Sequence, residues 1–393
     1  MPVAPGEGRP AVAVGRLTGA AARVLGFLAV LATVATVALP AVPAAAEDVQ
    51  ALQWHLSALD IAAVHKITTG QGVVVAVLDS GVQADHPDLA GQVLDGTDLT
   101  PENRTHGRND EQNHGTGVAG LIAARGGAGH ALGVAPGVKI LPVQVNIGLP
   151  PNNVPEGIRW AVDHGAKVIN ISSGVPDVTP EQTGAVAYAL AHDVVVVAAV
   201  GNTTEGDSGV LSPAAIPGVL AVAGTDRSGA GWSGSVQGPS VTIAAPAADV
   251  ETLASHFASG RPGGYIKVSG TSAAAPIVAG AAALVRARYP QLHVADVINR
   301  LIVTADDAGA PGRDPVYGYG RLNILKALTA DVAPVTGNPL TAPSRPAAAS
   351  ARSAGPGTGL LVAAGVGVVV LVVLVLVLVL VLRRGRPSGV PRR

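Results

Sequence analysis

Apolar residues along this chain fall into two alternating patterns. Short unbroken runs rich in valine, isoleucine and alanine recur at 72–78, 139–145, 168–172, 194–199, 219–224 and 241–245. Runs of that length with no polar face are expected of strands buried on both sides of a parallel sheet. Between and after them, at 153–164, 181–192, 273–288 and 294–304, the pattern is helical. Strand and helix in alternation predict an α/β domain with a mainly parallel central sheet, occupying 72–330. Ahead of it, Trp54, Leu56, Leu59, Ile61 and Val64 form a short amphipathic segment. The stretch 47–71 is too short for a core of its own and is expected to pack on the body.

Both ends of the chain depart from this pattern. At the N-terminus Arg9, Arg16 and Arg23 precede the apolar run 24–39, followed by Pro40, Pro43 and Ala44-Ala45-Ala46. A basic region, a short hydrophobic stretch and a small-residue site predict a signal peptide at 1–46, cleaved after Ala46. Near the other end the segment 359–382 holds an unbroken apolar run, 360–382, that as a helix covers roughly 34 Å at about 1.5 Å per residue, enough to cross a bilayer. Arg383, Arg384 and Arg386 follow at once. The positive-inside rule then places the tail, 383–393, in the cytoplasm and the body outside the cell membrane. The stretch 331–358, rich in proline, alanine and serine, reads as a flexible linker.

Composition narrows the function. Hydrophobic residues make up 48% of the chain and charged residues 13%, with a net charge of −1. That balance offers no electrostatic case for nucleic acid as a partner. There are no cysteines, so the exported body relies on its core and not on disulfides.

Candidate chemistry lies at three places. Gly270-Thr271-Ser272-Ala273-Ala274-Ala275-Pro276 puts Ser272 at the start of an alanine-rich helix, where unpartnered N–H groups favour a negative oxygen. Asp79 ends the first strand in Asp79-Ser80-Gly81, and functional groups of open α/β sheets gather beyond strand C-termini. His114 opens an apolar helix in His114-Gly115-Thr116-Gly117-Val118-Ala119-Gly120. Each has a plainer account when taken alone: a helix cap for Ser272, a turn residue for Asp79, a satisfied histidine for His114. Their joint occurrence is what packing does not explain.

In this order the three motifs resemble the active-site signatures of the subtilisin-like serine proteases, and the resemblance covers about 52–328. It implies a three-layer α/β/α fold and a catalytic triad in which Asp79 orients His114, His114 takes the proton of Ser272, and Ser272 attacks the scissile carbonyl. It also implies an oxyanion hole from Asn202 and the Ser272 backbone N–H, although Asn202 alone would equally suit a left-handed turn in Gly201-Asn202-Thr203. Ser172, Ser173 and Gly174 match the family's substrate-pairing strand edge, with Ser173 where subtilisins usually carry leucine. Ala199, Val200 and Gly201 are expected in the same substrate-binding cleft. The small residues there predict a preference for small or apolar side chains beside the cut. No metal or cofactor is expected, and a protein or peptide is the expected substrate.

The signal peptide, short N-terminal segment, proline-rich linker and C-terminal apolar helix together resemble the mycosins, membrane-anchored proteases of type VII secretion systems. That resemblance implies a membrane secretion complex as partner. Mycosins commonly carry cysteines and this chain has none. A scaffold whose proteolysis is dispensable is the rival role. A different serine hydrolase is disfavoured because Ser272 lacks a Gly-x-Ser-x-Gly setting.

Overall fold

The valine-rich runs become strands, and every pairing among them in the central sheet is parallel. The computed structural model describes residues 49–101, 105–146, 152–260 and 263–341. The expected signal peptide, the apolar segment 359–382 and the basic tail lie outside the described residues. Strands β1 (Val74–Asp79), β2 (Thr97–Asp98), β3 (Lys139–Gln144), β4 (Val168–Ile171), β5 (Val195–Ala199), β6 (Leu220–Thr225) and β7 (Ile243–Pro246) form one sheet in the order β2-β3-β1-β4-β5-β6-β7. β1 pairs with β3 on one side, Asp79 opposite Gln144, and with β4 on the other, Leu78 opposite Ile171. The strand order reverses direction at β1, so its C-terminal end opens on a crevice, as open α/β sheets require.

Two cores result, because alternate residues of each strand face opposite sides. Val75 and Val77 of β1 enter one core, and Ala76 and Leu78 enter the other. The second core is closed by helices α5 (Val154–Asp163) and α6 (Pro180–Ala191). α6 starts on a capping box, with Thr179 and Gln182 satisfying each other's backbone N–H groups and proline in the first turn. The first core is closed by α4 (His114–Ala123) and the long α8 (Thr271–Arg288). α8 is buried from Ala273 to Arg286, and its alanines and glycine let a helix lie flat against the sheet. α9 (Val294–Val303) and α10 (Ile324–Thr329) finish that side.

The N-terminal segment forms three short helices, α1 (Val49–Leu52), α2 (Trp54–Ala58) and α3 (Ile61–Val64). Val49, Leu59, Ile61 and Val64 join the first core. Trp54 is 9% exposed, and its indole N–H donates to the carbonyls of Ala248 and Asp249, both 3.1 Å away.

Two features differ from the sequence expectation. An antiparallel hairpin, β8 (Val250–Ala254) and β9 (Gly264–Val268), with α7 (His256–Ser259) after its first strand, was not foreseen. β8 has no polar alternation, since all five of its residues are buried, Glu251 among them. Its place is set by α4, whose Gly117 carbonyl accepts a 2.7 Å bond from Thr252 Oγ1. The start of the expected linker also stays on the body: Leu340 is 8% exposed, and its carbonyl accepts from Gly218 N. Among the described residues no helix is long and apolar enough to cross a membrane.

Trp54 tests how firmly the N-terminal segment is held. Trp54→Ala should lower unfolding stability by about 3–5 kcal/mol, and Trp54→Phe, which keeps an aromatic ring but loses the N–H bonds and part of the packed volume, by less than Trp54→Ala. Urea denaturation followed by circular dichroism checks both. An unchanged midpoint for Trp54→Ala would show that the segment is not part of the cooperative unit.

Candidate active site

Asp79 is the last residue of β1 and is fully buried. Its Oδ1 accepts from Ser80 N at 2.8 Å and meets His114 Nδ1 at 2.8 Å. Its Oδ2 has no hydrogen-bond partner among the described residues. A carboxylate in such a place is costly unless a cation or donors face it, and His114 is the cationic group in contact.

His114 reaches Asp79 because α4 begins unusually close to β1. A Cβ built on Gly115 would lie 2.0 Å from the Gly81 carbonyl oxygen and 3.1 Å from Asp79 Cβ, so any other residue there would force helix and strand apart. The residue before the helix, Asn113, has φ 67°, a conformation asparagine tolerates better than most. Its side chain does not cap α4 but accepts instead from Ser255 N, which ties the hairpin to the helix start. The helix end is capped from farther off, by Asp110 on Thr116 N at 2.8 Å and by Ser80 Oγ on Gly115 N at 3.0 Å.

Ser272 stands in the first turn of α8. A Cβ on Gly270 would fall 2.8 Å from Ser272 Oγ and 3.6 Å from Asn202 Nδ2. Glycine there therefore leaves room beside both groups. Asn202 follows the end of β5 and is locked to the same helix: its Oδ1 accepts from Thr271 N at 2.9 Å and from Thr271 Oγ1 at 3.0 Å. With its oxygen committed, its Nδ2 is the free side of the amide. One N–H of that group goes to Glu205 Oε1 at 3.1 Å, and an amide carries two. Thr271 N is taken by Asn202 and Ala273 N by the Gly270 carbonyl. The Ser272 N–H between them has no partner among the described residues.

A cleft of ≈330 Å³ brings His114, Ser272, Asn202, Ser172, Ser173, Gly174, Ala199 and Gly201 together. Asp79 lies beneath it, behind His114. Ser172 contributes little polar reach, since its hydroxyl already donates to the Ser272 carbonyl at 3.0 Å and accepts from Asn170 Nδ2. Among the described residues Ser173 and Gly174 bond to no other backbone group, so this edge can take an extended chain. Val200 is a correction. It is fully buried in the core beneath α5 and α6, on the face opposite Ala199, and does not line the cleft. Alternation along β5 decides this, because Val200 continues the row of Val196 and Ala198.

Four lining residues escaped the sequence analysis: Glu205, Asp207, Leu211 and Thr271. Asp207 accepts from Asn202 N at 2.8 Å. The two acids in Asn202-Thr203-Thr204-Glu205-Gly206-Asp207, so soon after a strand end, were the available signal. Among the described residues no group of three or more histidines, aspartates and glutamates is arranged to hold a metal.

The charges around the imidazole favour its protonated form. His114 is pushed up from 6.5 to about 9, chiefly by the charge of Asp79, against the opposing effect of burial, with Asp110 and Glu205 adding to the rise. Burial pushes the Asp110 carboxyl above the ordinary carboxylate range.

The chain is similar to known proteases over most of its described length. A sequence profile of the subtilase family matches residues 70–320. The thermostable alkaline protease of Halalkalibacterium halodurans is 36% identical over 282 residues, spanning 71% of this chain and 74% of that protein. Subtilisin BL of Lederbergia lenta is 36% identical over 280 residues, 70% of this chain and 97% of its own. Among solved structures, the MycP3 protease from the type VII (ESX-3) secretion system superposes with a TM-score of 0.63 at 32% identity, covering 72% of this chain and 90% of that one.

The raised His114 value links the pair to stability. The pair's contribution is fully present below pH 6.5, the ordinary histidine value, and is lost as pH rises through about 9. NMR titration of the His114 ring should place its midpoint well above 6.5, and Asp79→Asn should return it toward that value. A midpoint unmoved by Asp79→Asn would mean that the charge of Asp79 is not the cause.

Proposed function

The chain belongs to the subtilase family of serine endopeptidases, and we propose that Asp79, His114 and Ser272 carry its chemistry. The observation that supports this is the 2.8 Å pair of a half-exposed imidazole with a fully buried carboxylate, on the cleft that also holds Ser272. Asp79 fixes His114 with its Nδ1–H toward the carboxylate, which leaves Nε2 as the base. His114 takes the proton from Ser272 Oγ as that oxygen adds to the scissile carbonyl, holds it as an imidazolium, and gives it to the leaving amine. Water then repeats the sequence on the acyl-enzyme. The negative oxygen of each tetrahedral intermediate receives the Ser272 N–H and the second N–H of Asn202 Nδ2, while the open edge at Ser173 and Gly174 pairs with the substrate backbone.

On this account Asn202→Ala should lower kcat about 100- to 1000-fold with little change in KM. The uncharged glycine and alanine walls at Gly174, Ala199 and Gly201 favour small or apolar side chains beside the cut. Glu205 and Asp207 give the same cleft a negative lining. A peptide library read by mass spectrometry separates the two influences. Preference for alanine, glycine or valine is the expected result, and preference for lysine or arginine would show that the carboxylates select and the walls do not.

We further propose that the protease is tethered to the cell membrane by the segment 359–382, with the body outside and the basic tail inside, and serves a type VII secretion complex. The apolar run, the arginines after it and the likeness to MycP3 support this. A fluorophosphonate probe applied to fractionated cells tests tether and nucleophile together. Labelled full-length chain is expected in the membrane pellet, no label on Ser272→Ala, and labelled soluble protein after truncation beyond Thr341. If secretion persists with Ser272→Ala and fails only on deletion, the scaffold role is the correct one.

A further inference from the structure

Behind the Asp79–His114 pair lies a second buried carboxylate that the mechanism above does not use. Asp110 is fully buried in the loop ahead of α4. Its Oδ2 accepts from Thr116 N at 2.8 Å and Thr116 Oγ1 at 2.6 Å, and its Oδ1 accepts from Gln112 N at 3.2 Å. Oδ1 also lies 2.8 Å from Ser80 Oγ. That hydroxyl stands 3.3 Å from Asp79 Oδ1 on its other side and accepts from Gly115 N at 3.0 Å. One hydroxyl proton thus sits between two carboxylates, and the shorter distance assigns it to Asp110.

The consequence for His114 is twofold. Asp110 and Ser80 hold the N–H groups of Thr116 and Gly115, the third and second residues of α4. His114 is the first residue of that helix, so its height above Asp79 is set by these caps. The charged groups that face His114 are Asp79 from β1, Asp110 from the loop before α4 and Glu205 from the loop after β5. Of the two beyond the triad, Asp110 is the rigid one, enclosed by four hydrogen bonds, whereas Glu205 is exposed.

We propose that Asp110 is a positioning residue for the triad: through Ser80 and the first turn of α4 it holds His114 over Asp79, and its buried negative charge stabilises the imidazolium formed during acyl transfer. This rests on the triad assignment above. The direction of the raised His114 value agrees with it.

The test uses the full chain with Asp110→Asn, and Asp110→Ser as a second neutral residue that still caps a helix. The His114 ring is followed by NMR across pH, and kcat and KM are measured over the same range. Loss of the charge should move the His114 midpoint and the acid limb of kcat down by about half a pH unit. At the high-pH plateau kcat should fall about threefold, the same free energy read at the transition state, with KM unchanged. A merely structural role would lower activity equally at every pH and leave the midpoint in place, and that result overturns the proposal. Should neither variant fold, the unaltered chain decides: the His114 Nδ1 proton resonance must shift at the pH where the Asp110 carboxyl carbon titrates, and its failure to do so is equally fatal. Failure of the triad assignment would look different, as absence of fluorophosphonate labelling at Ser272 in folded wild type.

Discussion

Two carboxylates, Asp79 and Asp110, are fully buried within reach of one serine hydroxyl, and much of this fold is arranged so that they can be. Removing such groups from water costs several kcal/mol each unless donors or a cation take water's place. The donors come from the start of α4 and from Ser80, and the cation is His114. That requirement explains the close approach of helix and strand at Gly115, where even a methyl group would strike the Gly81 carbonyl. The site stands at β1, whose C-terminal end lies where the strand order reverses.

The other half of the cleft is joined by a different device. Thr271 and Asn202 lock the first turn of α8 to the end of β5 through bonds from both the backbone and the side chain of Thr271. Ser172 does the same from β4 by donating to the Ser272 carbonyl. Ser272 therefore belongs to a helix pinned to two neighbouring strands, and α8 is buried against them over most of its length. Such a serine cannot move far relative to Asn202, which suits a site that works by holding donors in place before charge develops. The two halves meet at the cleft floor, with His114 carried by α4 and Ser272 by α8, neighbouring helices of one core.

The N-terminal segment is part of this arrangement and not an independent unit. Trp54 bonds to the carbonyls of Ala248 and Asp249, just ahead of β8, and Gln53 exchanges bonds with Leu132. β8 in turn packs on α4, and Ser255 beyond it bonds to Asn113 beside His114. A line of contacts thus runs from the chain's first described residues to the base.

Sequence alone determined six of the seven strands of the central sheet, the main helices and the three motifs that mark the chemistry, but not β2 or the β8–β9 hairpin. Unbroken apolar runs are expected of buried strands or helices, and Asp79, His114 and Ser272, each with a plainer use alone, point to chemistry only through their joint occurrence in three ordered motifs. What it could not determine was direction and company. In a strand apolar on both faces the alternation carries no label for either face, so only the assembled sheet shows Val200 turned into the core and Ala199 toward the cleft. Ser172 matches a substrate edge by motif, yet its hydroxyl is spent on the carbonyl of Ser272, 100 residues further along the chain. Asp110, Glu205, Asp207 and Leu211 carry no local signal strong enough to single them out, because their roles come from contacts across the chain. Which polar groups share a buried space depends on how helices and strands pack, and packing is settled only when the whole domain closes.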